Sequence, residues 1–472
     1  MIETLYREEL KRVLSKRKEH ERGKVLNVLP FGSKREKGRT AIKDNFNRIL
    51  GEYVRNITGL RSVEKEMSSE NLYFSKYKNE FSELIAEKVE FIEEDHKVDF
   101  INLLDMFMFE DEQIKPIHPY MFNYIKTKKE LRNEFRKYAQ FLNQVFVRGN
   151  PRIKNLFLNK TADDILTELI LNNLQTLEKA EKESLQYQPL LDSFTKLYQE
   201  DLLYISKSKN YFLSNFPLLT HFYVFMYACQ LVVKFEKKTN ASWDCVEPLY
   251  FALDWESVNK RRKAASDLEG FKYIKEKSVN LFPHIHTISQ LSHNSFNKDY
   301  IEKGELMRFI PYSTLYEMIK SRDDEFQETF LFELKKWIRD YCVIKGVNIE
   351  DNSNTIPEAF ESLFTALKKG MSKEVCKNYG KNIQELGGNQ FIKSRGSLGQ
   401  TLNVKHDFLL LLTAVSVKDK RIPLKDLFDE YERRGVAFDR YSKIEIIKLL
   451  DNLNIIDKKS DSGDAQYVKP IL

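Results

Sequence analysis

A stretch of 24 residues restricts the possible folds of this chain more than any other feature of its sequence. From Asn210 to Val233 there is no Lys, Arg, Asp or Glu, and most side chains are apolar. A run of this length either crosses a membrane or forms a helix that is buried on all sides. His221 and Gln230 dilute the run, and the mean hydropathy of the chain is −0.50. We therefore predict the buried central helix of a soluble protein, with Pro217 in its first turn and a membrane span as the alternative.

The remainder of the chain is predicted to be mostly helical. It contains 17 Gly and 12 Pro among 472 residues, about half of their average usage, so residues that make turns are scarce. Apolar side chains recur every three or four positions in segments such as 129–147, as on one face of a helix. Alternating, strand-like patterns are almost absent before residue 400. The predicted fold class is mainly α, with a helical body of more than one domain.

A cluster of glycines suggests how the chain is divided. Five of the 17 glycines lie within twenty residues, from Gly380 to Gly399, and such a cluster favours a linker. We predict a basic N-terminal helical domain at 1–115, a central helical domain at 116–379, a Gly-rich linker at 380–401 and a winged helix-turn-helix domain at 402–472.

The C-terminal segment is predicted to form three helices followed by a β-hairpin. A first, buried helix contains the apolar run 408–412, and a second helix has one apolar face and ends near Gly435. The third helix is capped by Asp439 or by Ser442, and two short strands flank a turn at 461–464. This order is typical of a winged helix-turn-helix, in which the third helix enters the major groove of DNA and the hairpin wing contacts the backbone.

Helical periodicity predicts which side chains of the third helix face outward. With the apolar positions 446, 449, 450 and 453 turned inward, the outward side includes Glu445 and Asp451, which repel phosphates, and Ile444, which suits a protein groove. We therefore keep two hypotheses for this face, direct binding of double-stranded DNA and docking of a partner protein through Ile444. The candidate DNA-binding residues, on the third helix and the wing, are Arg440, Tyr441, Lys443, Lys448, Lys458 and Lys459.

The positive charge of the chain is concentrated at its N-terminus. The net charge of the chain is +6, and residues 1–50 alone contain 14 Lys/Arg against 7 Asp/Glu. The remaining residues are therefore close to neutral. Such a segment can bind nucleic-acid phosphates or an acidic protein, or it can be a solvated helix face, and the sequence alone does not choose between these roles.

Sequence motifs for catalysis are lacking. The Gly-rich stretch Gly396–Thr401 has no Lys, so it is not a P-loop. The histidines at 284, 286 and 293 have no Cys or carboxylate at a spacing suited to a metal. Asp324 with Glu333 and Lys335 has the residue types of a metal-dependent nuclease site, but the segment is predicted to be helical, whereas such a site needs adjoining strands. We assign no catalytic residue, no metal and no cofactor, with a nuclease site of scattered residues as the alternative. Four widely spaced Cys favour reduced thiols and a cytoplasmic protein.

Three stretches of the chain together resemble the family of the phosphorothioation-dependent DNA restriction protein DptG. They are spread over nearly the whole chain: 23–31 (GKVLNVLPF); 254–256 (DWE) with 260–263 (KRRK) and 281–284 (LFPH); and 406–413 (HDFLLLLT) through 460–468 (SDSGDAQYV). None of these stretches is a catalytic motif, so the resemblance is one of overall pattern.

The resemblance implies a subunit of a bacterial defence complex. In that family the subunit acts with DptF-like and DptH-like partners, both associated with ATPase function, and the complex restricts DNA that lacks the phosphorothioate mark. We expect this chain to be a non-catalytic DNA-binding and scaffolding subunit of such a complex in the cytoplasm. The alternative is a pure interaction adaptor whose winged helix docks a partner ATPase without contacting DNA. The resemblance carries no functional residue over to this chain.

The charge distribution leads to a first testable expectation. If the N-terminal segment binds phosphates, deleting residues 1–50 should weaken DNA binding more than a net charge of +6 spread evenly over the chain would suggest. Fluorescence anisotropy with duplex DNA measures this loss, and an unchanged affinity would contradict the expectation.

Overall fold

The computed structural model describes residues 4–15, 22–32, 42, 46–61, 78–110, 113–126, 131–181, 183–257, 270–458 and 466–472. Most of these residues lie in α-helices: α1 (Arg7–Ser15), α2 (Leu50–Thr58), α3 (Lys78–Ala86), α4 (Glu94–Met108), α5 (Arg132–Leu142), α6 (Pro151–Leu158), α7 (Ile165–Asn173), α8 (Asp192–Ile205), α9 (Lys209–Lys237), α10 (Phe271–Lys277), α11 (Leu281–Leu291), α12 (Lys298–Lys303), α13 (Tyr312–Lys320), α14 (Asp324–Lys345), α15 (Ile356–Gly370), α16 (Lys373–Phe391), α17 (His406–Val417), α18 (Leu424–Arg433) and α19 (Arg440–Asn452).

The strands of the described residues are few and short. They are β1 (Leu60–Arg61), β2 (Phe109–Glu110), β3 (Gln113–Ile114), β4 (Glu178–Lys179), β5 (Leu249–Leu253), β6 (Ile392–Ser394), β7 (Gln400–Val404), β8 (Ile422–Pro423), β9 (Val436–Ala437), β10 (Ile456–Lys458) and β11 (Gln466–Val468). The prediction of a mainly α protein is confirmed.

Helix α9 contains the charge-free run. Among the described residues, this is the one helix that is long and apolar enough to cross a membrane, and 89% of its apolar window is buried inside the protein. Such burial is typical of the core helix of a soluble protein, as predicted. Pro217 lies inside α9 rather than in its first turn, because the helix already begins at Lys209. Before the proline, Phe212 and Phe216 are fully buried and their rings stack with centroids 5.2 Å apart; this packing stabilises the helix next to a residue that is unfavourable within it.

The chain divides into two compact units that alternate along the sequence. Unit 1 comprises residues 1–39, 186–194 and 224–471, and unit 2 comprises residues 40–185, 195–223 and 472. Helix α9 therefore contributes its first part to unit 2 and its second part to unit 1. The predicted domains at 1–115 and 116–379 do not coincide with these units, because each of them contains segments of both.

In unit 2, helix α2 is fixed by a buried arginine. Arg55 is 6% exposed, and its guanidinium donates hydrogen bonds to the carbonyl oxygens of Asn123 and Ile125, both at 2.8 Å. The same guanidinium pairs with the carboxylate of Glu52 at 2.9 Å. The charge of Arg55 is thus compensated inside the unit, as a buried charge requires.

Unit 1 contains a four-stranded sheet in the order β6-β7-β5-β9. Strand β5 is completely buried and pairs in parallel with β7 and with β9, so that Phe251 lies opposite Leu402 and Leu249 opposite Val436. Strand β6 is antiparallel to β7. The sequence analysis does not predict β5, because its sequence LYFAL is a continuous apolar run without alternation, the pattern of a parallel strand that is buried on both faces.

The segment 380–401 forms the end of helix α16 and the strands that follow it, rather than the predicted linker. Residues 373–391 form α16, and β6 and β7 follow. A Cβ added at Gly380 would lie 2.8 Å from the backbone of Ser278, and one at Gly387 would lie 2.6 Å from the ring of Phe225. These glycines therefore allow close packing, whereas Gly388, with a φ of 48°, kinks the helix.

Residues 406–468 contain the predicted C-terminal elements in the predicted order, α17, α18 and α19 followed by β10 and β11. Strands β10, β11 and β8 form an antiparallel sheet, and the turn predicted at 461–464 lies outside the described residues. The predicted separate domain at 402–472 is instead part of unit 1, because β7 and β9 both pair with β5. Its assignment to the winged helix-turn-helix class stays a prediction.

The described residues of the basic N-terminal segment up to residue 32 belong to unit 1. Leu10 of α1 is buried, and Arg7 of the same helix forms ion pairs with Glu333 at 2.8 Å and Asp340 at 3.2 Å. Deleting residues 1–50 would therefore remove core side chains together with charge, and these two effects on DNA binding would be mixed. Substituting Arg12, whose side chain is 64% exposed, removes charge without removing core contacts.

Replacing Gly51 by alanine should destabilise unit 2. Gly51 lies in α2, and an added Cβ would overlap the carbonyl oxygen of Ile125, so the backbone would have to shift. We expect the free energy of unfolding to fall by about 3 kcal/mol, measured from urea unfolding followed by circular dichroism. The matched control is Gly59→Ala, where nothing lies within 4 Å of the added Cβ and a positive φ costs only about 1 kcal/mol. Equal losses in the two variants would contradict the clash.

Candidate nucleic-acid interface

The first turn of helix α19 is anchored to the end of strand β5. The carboxylate of Asp439 accepts hydrogen bonds from the backbone N–H of Ser442 at 2.8 Å and from the hydroxyl of Tyr250 at 3.1 Å. The hydroxyl of Ser442, which is fully buried, donates to the carboxylate of Glu256 at 2.9 Å. Of the two predicted caps, Asp439 is therefore the residue that caps the helix, and Ser442 instead ties the helix to Glu256.

The outward face of α19 carries the side chains that the periodicity places there. Arg440 is exposed, the exposed fractions of Tyr441 and Ile444 are 55% and 41%, and that of the Lys448 side chain is 63%. Positions 446 and 450 are buried. Leu453 was assigned to the inward face but is 47% exposed, because the chain has left the helix after residue 452.

Several of the predicted cations already have carboxylate partners. The Nζ of Lys448 lies 2.8 Å from Glu445, and that of Lys443 lies 3.6 Å from Glu432 and 5.0 Å from the ring centre of Phe428. Exposed pairs of this kind contribute up to about 1 kcal/mol each, so a phosphate could displace the carboxylates. The face of α19 is nevertheless only weakly basic in the free protein.

The sheet formed by β8, β11 and β10 carries Arg421 and Lys469 close to one another, two cations that the sequence analysis missed. Lys458 ends strand β10, while Lys459 lies outside the described residues. Arg421 and Lys469 both approach the carboxylate of Asp457, at 3.9 and 3.5 Å. They come together because β8 and β10 flank β11 in the sheet, and helical periodicity carries no signal of that pairing.

A polar cluster joins the carboxyl ends of the parallel strands β5 and β7, where α/β proteins often bind ligands. The carboxylate of Asp254 accepts hydrogen bonds from Lys393 and Asn403, both at 2.9 Å, and the bond from Lys393 lowers the pKa of Asp254 from its ordinary value. Arg395 donates to the last carbonyl oxygen of β5 at 2.6 Å and to that of Glu256 at 2.8 Å. The cluster therefore fixes the strand ends and, through Glu256, the start of α19.

Two of the stretches that carry the family resemblance meet at this cluster. Trp255 and His406 stack with ring centroids 3.7 Å apart and planes inclined by 19°. The contact joins the end of β5 to the start of α17, so these residues serve to hold the sheet and the C-terminal helices together. In the described parts of the chain, no group of three His, Cys, Asp or Glu side chains is placed to hold a metal ion.

His284 belongs to a buried hydrogen-bond network in unit 1. Its Nε2 lies 3.1 Å from the carboxylate of Glu236, and its Nδ1 lies 3.1 Å from the hydroxyl of Tyr312. Burial lowers the pKa of His284 to about 4. Burial alone would raise the pKa of Glu236, but the hydrogen bonds from His284 and Asn280 hold it at about 2. Because the side chain of His284 is only 1% exposed, this pair is part of the core rather than a site for acid–base chemistry.

Unit 2 contains a cleft of about 570 Å³ whose lining includes Lys209 and His118. Lys209 forms an ion pair with Asp163 at 2.8 Å. The Nε2 of His118 lies 3.1 Å from the carbonyl oxygen of Thr161, and its Nδ1 accepts from the backbone N–H of Tyr120 at 3.2 Å. Both groups are thus engaged within the protein, and we assign the cleft no function.

Two comparisons with known proteins gave no match. No protein-family model matches the chain, and no curated protein matches it. The resemblance to the DptG family therefore rests on the sequence stretches alone.

The His284–Glu236 pair predicts how stability depends on pH. An imidazole in the unfolded chain has a pKa near 6.5, whereas the folded protein resists protonation of His284 down to about pH 4. The unfolded chain thus binds the proton more readily, so the free energy of unfolding should decrease as the pH falls from about 6.5 to about 4. Protonation of Glu236, whose folded pKa is about 2, extends the loss below that range.

Urea unfolding midpoints measured between pH 7 and pH 4 test this dependence. The variant His284→Gln should show a smaller decrease of the midpoint over that range than the wild type does. The matched control is His96→Gln, because the side chain of His96 is 57% exposed and should leave the slope unchanged. An identical slope in the wild type and in His284→Gln would contradict the prediction, whatever the midpoints themselves are.

Proposed function

We propose that this chain is a non-catalytic DNA-binding and scaffolding subunit of a cytoplasmic bacterial restriction complex that acts on DNA lacking phosphorothioate modification. Its partners in this proposal are DptF-like and DptH-like ATPase subunits, and its DNA-binding element is a winged helix-turn-helix at 406–468. The proposal rests on the resemblance to the DptG family together with the outward face of α19.

The main support for the DNA role is that the first turn of α19 is fixed by hydrogen bonds while its outward side chains are exposed. Its first turn is held rigidly by the Asp439 cap and by the bond from Ser442 to Glu256, while Arg440, Tyr441 and Lys448 remain exposed. A rigid helix with exposed cations and hydrogen-bonding side chains at its N-terminal end suits the way in which recognition helices contact base edges and phosphates. The cations of the neighbouring wing sheet would add contacts to the backbone.

A second candidate function is the adaptor whose winged helix docks a partner ATPase without contacting DNA. The exposed Ile444 favours it, because an apolar side chain in the centre of a helix face is more suited to a protein groove than to the DNA backbone. The carboxylates of Glu445 and Glu432, which pair with Lys448 and Lys443, favour it as well.

Fluorescence anisotropy with a fluorescein-labelled duplex of about two helical turns, repeated over a salt series, tests the DNA role. Binding through several phosphates should weaken steeply as salt rises. We expect Lys448→Glu to lower the affinity by about tenfold and to reduce the salt dependence, because one contact becomes repulsive. The control is Lys298→Glu, whose side chain has the same exposed fraction of 63% and also pairs with a glutamate on its own helix. Loss of binding in both variants alike, or no binding of the wild type at low salt with or without partners, would remove the DNA role.

The ranking of two variants separates the two candidate functions. If α19 binds DNA, Ile444→Glu should keep most of the DNA affinity that Lys448→Glu loses. If α19 docks a protein, Ile444→Glu should abolish co-purification with the partner ATPases while Lys448→Glu has little effect on it. Affinity purification of the co-expressed subunits provides the second measurement.

A further inference from the structure

Helices α3 and α4 of unit 2 form a hairpin with one buried face. Phe81 and Ile85 of α3 pack with Leu104 and Met108 of α4 in one hydrophobic cluster, together with Leu171 of α7. These four helix positions are spaced by three or four residues, so the opposite faces of both helices point away from this cluster. The opposite face of α4 has an unusual composition.

The outward face of the hairpin is rich in large apolar side chains. Leu103, Met106 and Phe107 occupy positions i, i+3 and i+4 of α4 and therefore adjoin one another, with exposed fractions of 55%, 81% and 43%. Ile92 and Val98 are 96% and 52% exposed. In the described parts of the chain, six of the sixteen exposed large apolar side chains fall within residues 84–107. Such a concentration is typical of an interaction surface rather than of a solvated one.

The same hairpin carries a strong negative charge. Residues 80–107 contain nine Asp/Glu and two Lys, a net charge of −7 within a chain whose total is +6. Glu94 and Asp95 in the first turn of α4 interact favourably with the helix dipole. This interaction does not explain why Asp99 in the next turn is acidic, or why the exposed residues beyond it are apolar. Leu103, Met106 and Phe107 occupy the C-terminal turns of α4, whereas the acidic residues other than the buried Asp105 lie in α3, in the connection between the helices and in the N-terminal turns of α4.

We propose that this face docks a basic amphipathic helix of a partner protein. Leucine-like side chains of the partner would pack on Leu103, Met106 and Phe107, while its lysines or arginines would meet the acidic turn that contains Asp95 and Asp99. The negative charge of the face favours a basic partner over the other possible occupants. DNA and anionic lipid would be repelled, and a symmetric pair of copies of this chain would bring two negatively charged surfaces together. The surface lies in unit 2 and does not depend on the DNA role of α19, which lies in unit 1.

A pair of model peptides serves as the probe. One is an 18-residue helix with Leu at the first, fourth and fifth positions of each seven-residue repeat and Lys at all other positions. The other peptide carries Glu in place of every Lys. Fluorescein-labelled peptides are titrated with the full chain, and anisotropy gives the affinity. The Lys peptide should bind, its affinity should decrease with salt, and the Glu peptide should bind at least tenfold more weakly.

Met106→Asp is the decisive variant, because it adds a negative charge while it removes apolar contact. If the peptide docks on the apolar face, the variant should lose at least tenfold in affinity for the Lys peptide. If attraction between charges alone drives binding, the variant should bind as tightly as the wild type or more tightly. The control is Val343→Asp, which makes the same change at a side chain that is 83% exposed in unit 1, and which should leave the affinity unchanged. Leu103→Asp provides a second variant of the same face.

Three results would overturn the proposal. The first is failure of the wild type to bind the Lys peptide, and the second is equal affinity in the wild type and in Met106→Asp. The third is a wild-type dimer in sedimentation velocity that Met106→Asp dissociates, since it would assign the face to a second copy of this chain. None of these outcomes affects the DNA measurements on α19, so failure of the two proposals can be told apart.

Discussion

The structure depends above all on covering helix α9, which has no charged side chain between residues 210 and 233. Its buried side chains Gln230 and Tyr223 show how a helix of this kind is kept inside a protein, because both have internal hydrogen-bond partners. Gln230 exchanges two hydrogen bonds with the backbone of Glu247, both at 2.7 Å, and Tyr223 donates to Asp201 at 2.6 Å. In a membrane these groups would have no such partners. The need to bury α9 along its length explains why its two parts belong to the cores of two units.

Local patterns made part of this architecture predictable. The mainly α class, the burial of α9 and the outward face of α19 follow from helical periodicity and from the absence of charge, which act within a few turns. The pairing of strand β5 and the division into two interleaved units depend on contacts between distant segments, such as Phe251 with Leu402, and no local pattern signals which segments meet. The glycines at 380–399 show the same limit, because Gly380 is required by its contact with Ser278 and not by flexibility.

The candidate site was predictable to a similar extent. Periodicity identified the exposed residues of α19, but it could not show that Lys448 and Lys443 already pair with carboxylates, or that Arg421 and Lys469 gather at Asp457. The net charge of +6 for the whole chain gives no information about these arrangements. It also does not show that residues 80–107 of unit 2 have a net charge of −7, opposite in sign to that of the N-terminal segment, most of which lies in unit 1. A chain with regions of opposite charge in separate units is suited to contact partners of different chemistry, which is consistent with a scaffolding role.

The pairing of β5 with β7 and β9 has a consequence for the order in which this protein takes shape during synthesis. When the ribosome has made β5, the strands that pair with it have not yet been synthesised. Leu249, for example, pairs with Val436, which comes much later in the chain. At ordinary translation rates the delay is about ten to forty seconds. Residues 40–223, which supply nearly all of unit 2, emerge before that time, whereas the part of α9 in unit 1 gains some of its contacts only later, such as that of Phe225 with Phe391. During this delay β5 lacks the strands that bury it in the finished fold, so the growing chain exposes an apolar segment to which a chaperone could bind.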